Sequence, residues 1–274
     1  MEIDWARMAE PQEDGYDNAI TLLEAAKRYN FSKSPREEPT IFEGQVNLRT
    51  EELRLIDHLV AAPLNARSVL EAEALLKTWP VVYRQVQALV DTLYPLRDLN
   101  FSEYDEQSVG CTCGGGKTWG SIYSTVTDPV GFVEGIVHEM GHWKLHALGV
   151  HLEDWDNLLL NKPDDLYPSP IRKDKLRPVG AVLQAQWSYV YVTGIDAHIL
   201  RDSLEKSARD YPDLEYPPKR AYRHLMINVK RIEEGRETLL SCAKGDENGV
   251  PFLEAFYDWT DRVIADGREL LRDN

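Results

Sequence analysis

Apolar residues recur every three or four positions along most of the chain, which is the period of an α-helix with one buried face. In residues 1–100 this pattern predicts a helix over 18–29 and another through TEELRLIDHLVAA, which begins at Thr50. Two more helices are predicted in SVLEAEALLKTW and VVYRQVQALVDTLYPL, separated by Pro80, because proline interrupts a helix interior. The first hundred residues are therefore predicted to form a helical layer.

The pattern changes in the middle of the chain. GSIYSTVT (120–127) is rich in β-branched and aromatic residues and predicts a strand. Asp128 and Pro129 suit the N-cap and the first turn of a helix that should end near Gly149. The segment 151–178, which is rich in proline, predicts a long connection, and connections of this length in compact domains are more often functional than idle.

Three further helices are predicted towards the C-terminus. VGAVLQAQWSYVYVTGIDAHILRDSLEKSA predicts a long helix whose first half is almost wholly apolar and therefore buried. PKRAYRHLMINVKRIEEGRETLLSCA and FLEAFYDWTDRVIADGRELL predict two amphipathic helices. The simplest division is one domain over 1–274, composed of the helical layer 1–100, a core over 101–200 and C-terminal helices over 201–274.

The helix predicted after the 120–127 strand carries the motif HExxH in GIVHEMGHWKLHALG. His138 and His142 lie four residues apart, so a helix that rises about 1.5 Å per residue places both imidazoles on one face, where they can bind one metal ion. Glu139 would lie within reach of a metal-bound water. The alternative is a buried helix with two hydrogen-bonded histidines and a solvated Glu, but the apolar neighbours favour the metal site. His146, one turn further on, is interpreted as supporting the ligands or the fold.

These features predict a fold class that is mainly α with a small β element. A zincin-like HExxH helix would hold the active site and would be bordered by a short strand or sheet. In zinc peptidases such a strand can pair with an extended peptide, and an ordinary edge strand is an equally good interpretation of GSIYSTVT.

The third metal ligand decides which chemistry the motif performs. A metzincin would have Gly and His at the positions that Leu145 and Leu148 occupy here. A gluzincin would supply a Glu from a following helix, where this chain has a proline-rich loop without Glu. The next buried helix offers Gln184 and Gln186, whose amides either bind a metal or hydrogen-bond within the core.

Composition and charge exclude several partners. The formal net charge of −15 argues against nucleic acid as the main partner and against docking on an anionic membrane. The N-terminus lacks the pattern of a signal peptide, and no apolar run approaches the length of a membrane span. Three cysteines do not make a disulfide framework, so we expect a cytoplasmic protein. The pattern specifies no oligomeric state.

Two quoted segments together resemble a known family. HEMGHWKLHALG followed by YPSPIRKDKLRPVGAVLQAQWSYVYV is similar to HExxH proteins encoded beside ribosomally made, modified peptides. That family's pattern runs from HExxH through Y-x-S-P-W-R to R-P-x-x-G-x-L, then a polar residue and an aromatic stretch. The resemblance covers roughly residues 119 to 195. It implies an iron-containing, α-ketoglutarate-dependent peptide β-hydroxylase on a fold unlike the usual jelly roll.

The resemblance assigns roles to individual residues. His138 and His142 become ligands of Fe(II). Gln184 stands where many members of the family have His, and it would be the third ligand through its amide oxygen. An oxygenase of this class binds the metal with three protein groups and leaves three positions for α-ketoglutarate and oxygen.

The same resemblance implies a site for the cosubstrate. Tyr167, Arg172 and Arg177 lie in the matching segment. The far carboxylate of α-ketoglutarate needs a fixed cation, and the planar fork of an arginine suits it, so Arg172 and Arg177 are the candidates. The alternative for each is a surface cation beside a helix start.

Three functions follow from these observations. The first is a hydroxylase that uses Fe(II) and α-ketoglutarate to act on a side-chain β-carbon of a ribosomally made precursor peptide, with Glu139 orienting a ligand, a water or the peptide. The second is a zinc metallopeptidase in which Glu139 is the general base. The third is a non-catalytic protein that binds a peptide.

Overall fold

The computed structural model describes residues 3–12, 19–28, 31–50, 58–100, 112–114, 119–150, 158–169, 174–206 and 216–272. The described helices are α1 (Trp5–Met8), α2 (Ala19–Lys27), α3 (Arg67–Leu76), α4 (Pro80–Leu89), α5 (Pro129–Ala147), α6 (Val179–Glu205), α7 (Tyr216–Cys242) and α8 (Gly249–Arg272). The described strands are β1 (Thr40–Ile41), β2 (Val46–Leu48), β3 (Leu59–Ala61), β4 (Thr92–Asp98), β5 (Thr112–Gly114), β6 (Ser121–Thr125), β7 (Leu166–Tyr167) and β8 (Arg177–Pro178). The fold is mainly α with a small β element, as the sequence predicts.

One mixed sheet precedes the HExxH helix. Its strand order is β1-β2-β4-β6-β5, in which β2, β4 and β6 run parallel and the outer strands β1 and β5 run antiparallel to their neighbours. β3 pairs antiparallel with the second half of β4. Leu93 and Ile122 are partners in the β4–β6 register, and both side chains are fully buried. The strand that leads into α5 is therefore fixed at the centre of the core.

The prediction that residues 1–100 form a helical layer is wrong in part. Helix α4 ends at Leu89, and the residues predicted to continue it form β4. Pro95 opposes a helix there, and the parallel partners β2 and β6 satisfy the backbone of β4 instead. The helix predicted from Thr50 is replaced at its end by β3, while 51–57 lie outside the described residues. The helix predicted over 18–29 is confirmed as α2.

The strand before the HExxH helix is confirmed as β6, but it is not an edge strand. β6 pairs with β4 on one side and with β5 on the other, so its backbone cannot take up an extended peptide. The partner β5 comes from the glycine-rich segment, whose composition disfavours strands and hides it in the sequence. The connection predicted over 151–178 also contains structure, since β7 and β8 pair antiparallel next to the start of α6.

Helix α6 is the centre of the helical part of the fold. It packs against α5, α7 and α8, and its first half is buried almost throughout, as its apolar sequence predicts. Trp187 and Tyr191 pack edge-on against each other and against Trp259 of α8. The indole Nε1 of Trp187 donates a hydrogen bond of 2.9 Å to the carbonyl oxygen of Gly141 on α5. This bond fixes how far α5 and α6 slide along each other.

The N-terminal helix packs on the C-terminal one. The ring of Trp5 lies edge-on against Phe252 with the ring centroids 6.2 Å apart, and Glu10 forms an ion pair with Arg262 of α8. Among the described residues, the larger of two hydrophobic clusters extends from Met8 to Ile264 and includes residues of the sheet and of the long helices. None of the described helices has a stretch apolar and long enough to cross a bilayer.

Glycine at 194 is required by the close approach of α6 to an indole ring. A Cβ at Gly194 would lie 2.5 Å from Cη2 and 2.6 Å from Cζ3 of Trp79. We expect Gly194→Ala to lower the free energy of unfolding by about 1–3 kcal/mol, because Trp79 must leave its position. Chemical denaturation measures this loss.

The matched control for this prediction is Gly141→Ala on the facing helix. A Cβ at Gly141 would lie 3.5 Å from Trp187 and Tyr191, which is an ordinary van der Waals distance. In a helix interior alanine is also more favourable than glycine by up to about 1 kcal/mol. We therefore expect Gly141→Ala to be neutral or stabilising. An equal loss in both variants would contradict the packing argument.

Candidate metal centre

Helix α5 begins and ends where the sequence predicts. Asp128 is the N-cap, and its Oδ1 accepts a hydrogen bond of 2.7 Å from the backbone N–H of Gly131, while Pro129 fills the first position. The helix ends at Ala147, and Gly149 follows with a positive φ of 82°, as at many helix ends. Nearly all of its faces are buried against the sheet and the helices α3, α4 and α6. Its polar residues therefore point into the protein interior.

His138 and His142 converge as the motif predicts. Their Nε2 atoms lie 3.2 Å apart, and the two rings meet at 84° with their centroids 4.8 Å apart. Two nitrogens at this distance, each about 2.1 Å from a shared ion, subtend about 100° at the metal, between the tetrahedral and octahedral angles. The same distance also permits one N–H···N hydrogen bond between two neutral rings. The pair alone therefore fits a metal site and does not require one.

Both imidazoles are neutral at neutral pH. Burial lowers the pKa of His138 to about 4, although the negative charge of Glu134 partly opposes this shift. Burial, together with the positive charges of His138 and His146 when these are protonated, lowers the pKa of His142 to about 3. Metal ions bind the neutral imidazole, so the lone pairs are available without the loss of a proton.

Glu139 is buried beside the histidine pair. Its side chain is 8% exposed, and its Oε1 lies 4.0 Å from Nε2 of His138. The ring of Tyr189 also packs edge-on against His138 at 5.6 Å between centroids, and the guanidinium of Arg231 lies over the Tyr189 ring. A carboxylate and an aromatic ring therefore both lie next to the first imidazole.

The two glutamines of α6 have different environments. Gln186 is fully buried, and its Nε2 donates a hydrogen bond of 2.7 Å to the carbonyl oxygen of Ile232 on α7, which is a packing role. Gln184 is 4% exposed, and its Oε1 has no hydrogen-bond partner among the described residues. Trp187 and Tyr189 of α6 contact Gly141 and His138 of α5, so the two helices run antiparallel here, and no contact between Gln184 and either motif histidine is found among the described residues. An unpaired buried amide oxygen is costly and is therefore a reasonable metal ligand.

Tyr167 and Arg177 are brought together by the β7–β8 pair. They are partners in its register, and Arg177 directly precedes the first residues of α6. The Nε of Arg177 is buried without a hydrogen-bond partner among the described residues. Arg172 lies outside the described residues.

In the described part of the chain, no third histidine, cysteine or carboxylate joins the histidine pair in a possible metal-binding group. A second group does exist that the sequence reasoning missed: Glu134, Asp196 and His224. Two signals could have found it. Glu134 lies one turn before His138 on the same buried helix, and Asp196 interrupts an almost wholly apolar helix.

No family model matches the chain, and a search of curated proteins finds no match either. The residues of the site are therefore the main basis for assigning a function.

Loss of either imidazole should abolish tight metal binding. Removing a group that only supports a metal ligand typically costs 10- to 100-fold in metal affinity. Because loss of a ligand itself should cost more, we expect His138→Ala and His142→Ala to weaken Fe(II) or Zn²⁺ binding by more than about 100-fold. Isothermal titration of chelator-treated protein measures the affinities. His58→Ala, at a half-exposed histidine next to β3, is the matched control and should retain binding.

The lowered pKa values predict acid sensitivity in the metal-free protein. In the unfolded chain the two imidazoles bind protons near pH 6.5, whereas in the folded protein they bind protons only near pH 3–4. The contribution of this difference to the free energy of unfolding is therefore fully present above pH 6.5 and is lost as the pH falls. Each ring contributes a slope of up to about 1.4 kcal/mol per pH unit. Denaturation between pH 6.5 and 5 should therefore give a shallower slope for His142→Gln than for wild type. His58→Gln, at a half-exposed histidine, is the control, and equal slopes in all three proteins would refute this expectation.

Proposed function

We propose that the protein is a hydroxylase that depends on Fe(II) and α-ketoglutarate and acts on a side-chain β-carbon of a ribosomally made precursor peptide. The observation that carries this proposal is the 3.2 Å separation of Nε2 atoms between two partly buried, neutral imidazoles. The resemblance over residues 119 to 195 supports the choice of iron and of the cosubstrate. We further propose that it acts in the cytoplasm.

The ligand set supports Fe(II) because it mixes nitrogen and oxygen donors. His138 and His142 would bind through Nε2, and Gln184 would add its Oε1, which has no hydrogen-bond partner in the described part of the chain. Three protein ligands on one face leave three positions open. When bound there, Fe(II) and α-ketoglutarate supply the activation of dioxygen for insertion of an oxygen atom into a C–H bond.

Arg177 would recognise the far carboxylate of the cosubstrate. Arg177 is the first residue of β8. Gln184 lies five residues after Val179, the first residue of α6, which corresponds to about 8 Å along the helix axis. An arginine whose Nε has no partner among the described residues retains a donor for an oxyanion, and the bidentate geometry suits a carboxylate. Tyr167 is the partner of Arg177 in the β7–β8 pair, and its ring would limit the movement of the Arg177 side chain.

Glu139 would orient the groups around the first imidazole. With Oε1 at 4.0 Å from Nε2 of His138, the carboxylate is too far to hydrogen-bond that nitrogen directly and close enough to bridge to it through a water or a peptide N–H. We assign Glu139 the role of holding a proton donor of the substrate or a water next to the metal position.

The position of Glu139 also favours a second function, that of a zinc metallopeptidase. In that reaction the same carboxylate would take a proton from a zinc-bound water. The described residues offer this reading no third histidine, cysteine or carboxylate ligand, and β6 cannot take up a peptide strand. The hydroxylase is therefore the better supported of the two.

The direct test is a reconstitution in the absence of oxygen with Fe(II), then α-ketoglutarate, a precursor peptide encoded beside the gene, and air. We expect succinate release and a gain of one oxygen atom by the peptide, measured by mass spectrometry. Arg177→Gln should raise the KM for α-ketoglutarate at least about tenfold while changing kcat less, because a charged hydrogen bond contributes about 1.5–3 kcal/mol. Arg201→Gln, on the far half of α6, is the matched control.

Glu139→Gln separates the two functions. A hydroxylase should keep part of its activity in this variant, since no proton transfer by Glu139 is required, whereas a peptidase should lose nearly all of it. Peptide cleavage by the zinc-loaded protein, abolished by Glu139→Gln, would overturn the proposal. Peptide binding without succinate release or mass gain would also overturn it and would indicate a binding protein.

A further inference from the structure

A second group of metal-binding side chains lies one helical turn from the histidine pair. Glu134 on α5, Asp196 on α6 and His224 on α7 each offer a ligand atom, and these atoms lie within 4.8 Å of one another. We name this group the three-helix cluster. Ligands of one ion at about 2.1 Å lie up to about 4.2 Å apart, so a small adjustment of side chains brings all three into contact with a single cation.

Asp196 supplies an independent observation that points to a ligand. Its side chain is fully buried, and Asn228 donates a hydrogen bond of 3.1 Å to Oδ2 only. The other oxygen, Oδ1, is buried and meets no nitrogen or hydroxyl donor among the described residues, although the carboxyl of Glu134 hydrogen-bonds Asp196 when one of the two is protonated. A buried carboxylate is stable only when it is paired, hydrogen-bonded or bound to a metal. Asn228 therefore orients the carboxylate and leaves one oxygen for another partner.

Two cationic or ionisable side chains near the cluster pair with carboxylates other than Asp196. Nδ1 of His224 lies 2.5 Å from Oε1 of Glu134, and Arg220 forms an ion pair at 3.3 Å with Asp128. Burial and the nearby negative charge of Glu134 raise the pKa of Asp196 well above its usual range. The carboxyl groups of Glu134 and Asp196 have oxygens within 4.8 Å of each other. Two carboxyl groups this close and shielded from water need either a shared proton or a cation between them.

The geometry points to a divalent transition-metal site formed by Glu134, Asp196 and His224, distinct from the site of the histidine pair. Two carboxylates and one imidazole form a donor set typical of Zn²⁺, Mn²⁺ or Fe²⁺, whereas Mg²⁺ and Ca²⁺ prefer oxygen ligands alone. The side chains of Glu134 and His224 retain 14% and 18% exposure, so an ion can enter from solvent. A bound ion would join α5, α6 and α7 and neutralise the buried charge.

The test uses the full chain with both motif histidines replaced, His138→Ala and His142→Ala, so that the proposed function cannot contribute. After chelator treatment, we expect this protein to bind one equivalent of Zn²⁺ and to bind Mn²⁺ at the same site, without competition from Mg²⁺. Binding should raise Tm, because the ion binds only the folded state. Isothermal titration and the electron paramagnetic resonance of free Mn²⁺ measure the stoichiometry.

Asp196→Asn in the same background should weaken Zn²⁺ binding at least about 100-fold while keeping an acceptor for Asn228. Asp202→Asn, which makes the same chemical change on an outer position of α6, is the matched control and should bind normally. If circular dichroism shows Asp196→Asn to be unfolded, His224→Gln replaces it. Absence of binding in the background protein, or binding unchanged by loss of a cluster residue, would overturn the proposal and assign the cluster to carboxyls that share a proton.

Discussion

The structure depends on one constraint: α5 carries ionisable side chains through a part of the protein from which water is almost excluded. Polar groups in such an environment are stable only with partners of matching chemistry. Glu134 meets His224 of α7, and the fully buried Lys144 donates a hydrogen bond to the hydroxyl of Tyr191 on α6. Each partner belongs to a helix that is distant in sequence. The rotation of α5 about its axis is therefore set by polar pairing as much as by apolar packing.

How much of the fold could be predicted depended on whether the deciding forces were local. The start of α5 could be predicted because Asp128 caps its own neighbour, Gly131, and Pro129 needs no backbone donor. β4 could not be predicted, because its sequence also fits the preceding helix and only pairing with β2 and β6 decides the outcome. β5 has almost no local preference for a strand, so it forms only because the edge of β6 is available.

The residues of the candidate site could likewise be predicted only where local geometry decides their position. His138 and His142 could be found because helix geometry alone brings residues four apart together. The pairing of Tyr167 with Arg177 was not predicted, because it required a two-residue strand within a segment that has the composition of a loop. The three-helix cluster joins positions 28 to 90 residues apart, and no sequence spacing encodes such proximity. The sequence contains two indications of it: an acid one helical turn before His138, and an isolated acid within an apolar helix.

The contact of α1 with α8 has a consequence for biosynthesis. Trp5 leaves the ribosome roughly 250 residues before Phe252, which at about 5–20 residues per second corresponds to about 12–50 seconds. During that interval the indole and its neighbour Met8 lack the surface that buries them in the finished fold. Nascent chains of this protein are therefore expected to be ligands for chaperones that bind exposed aromatic residues, until the last helix has emerged.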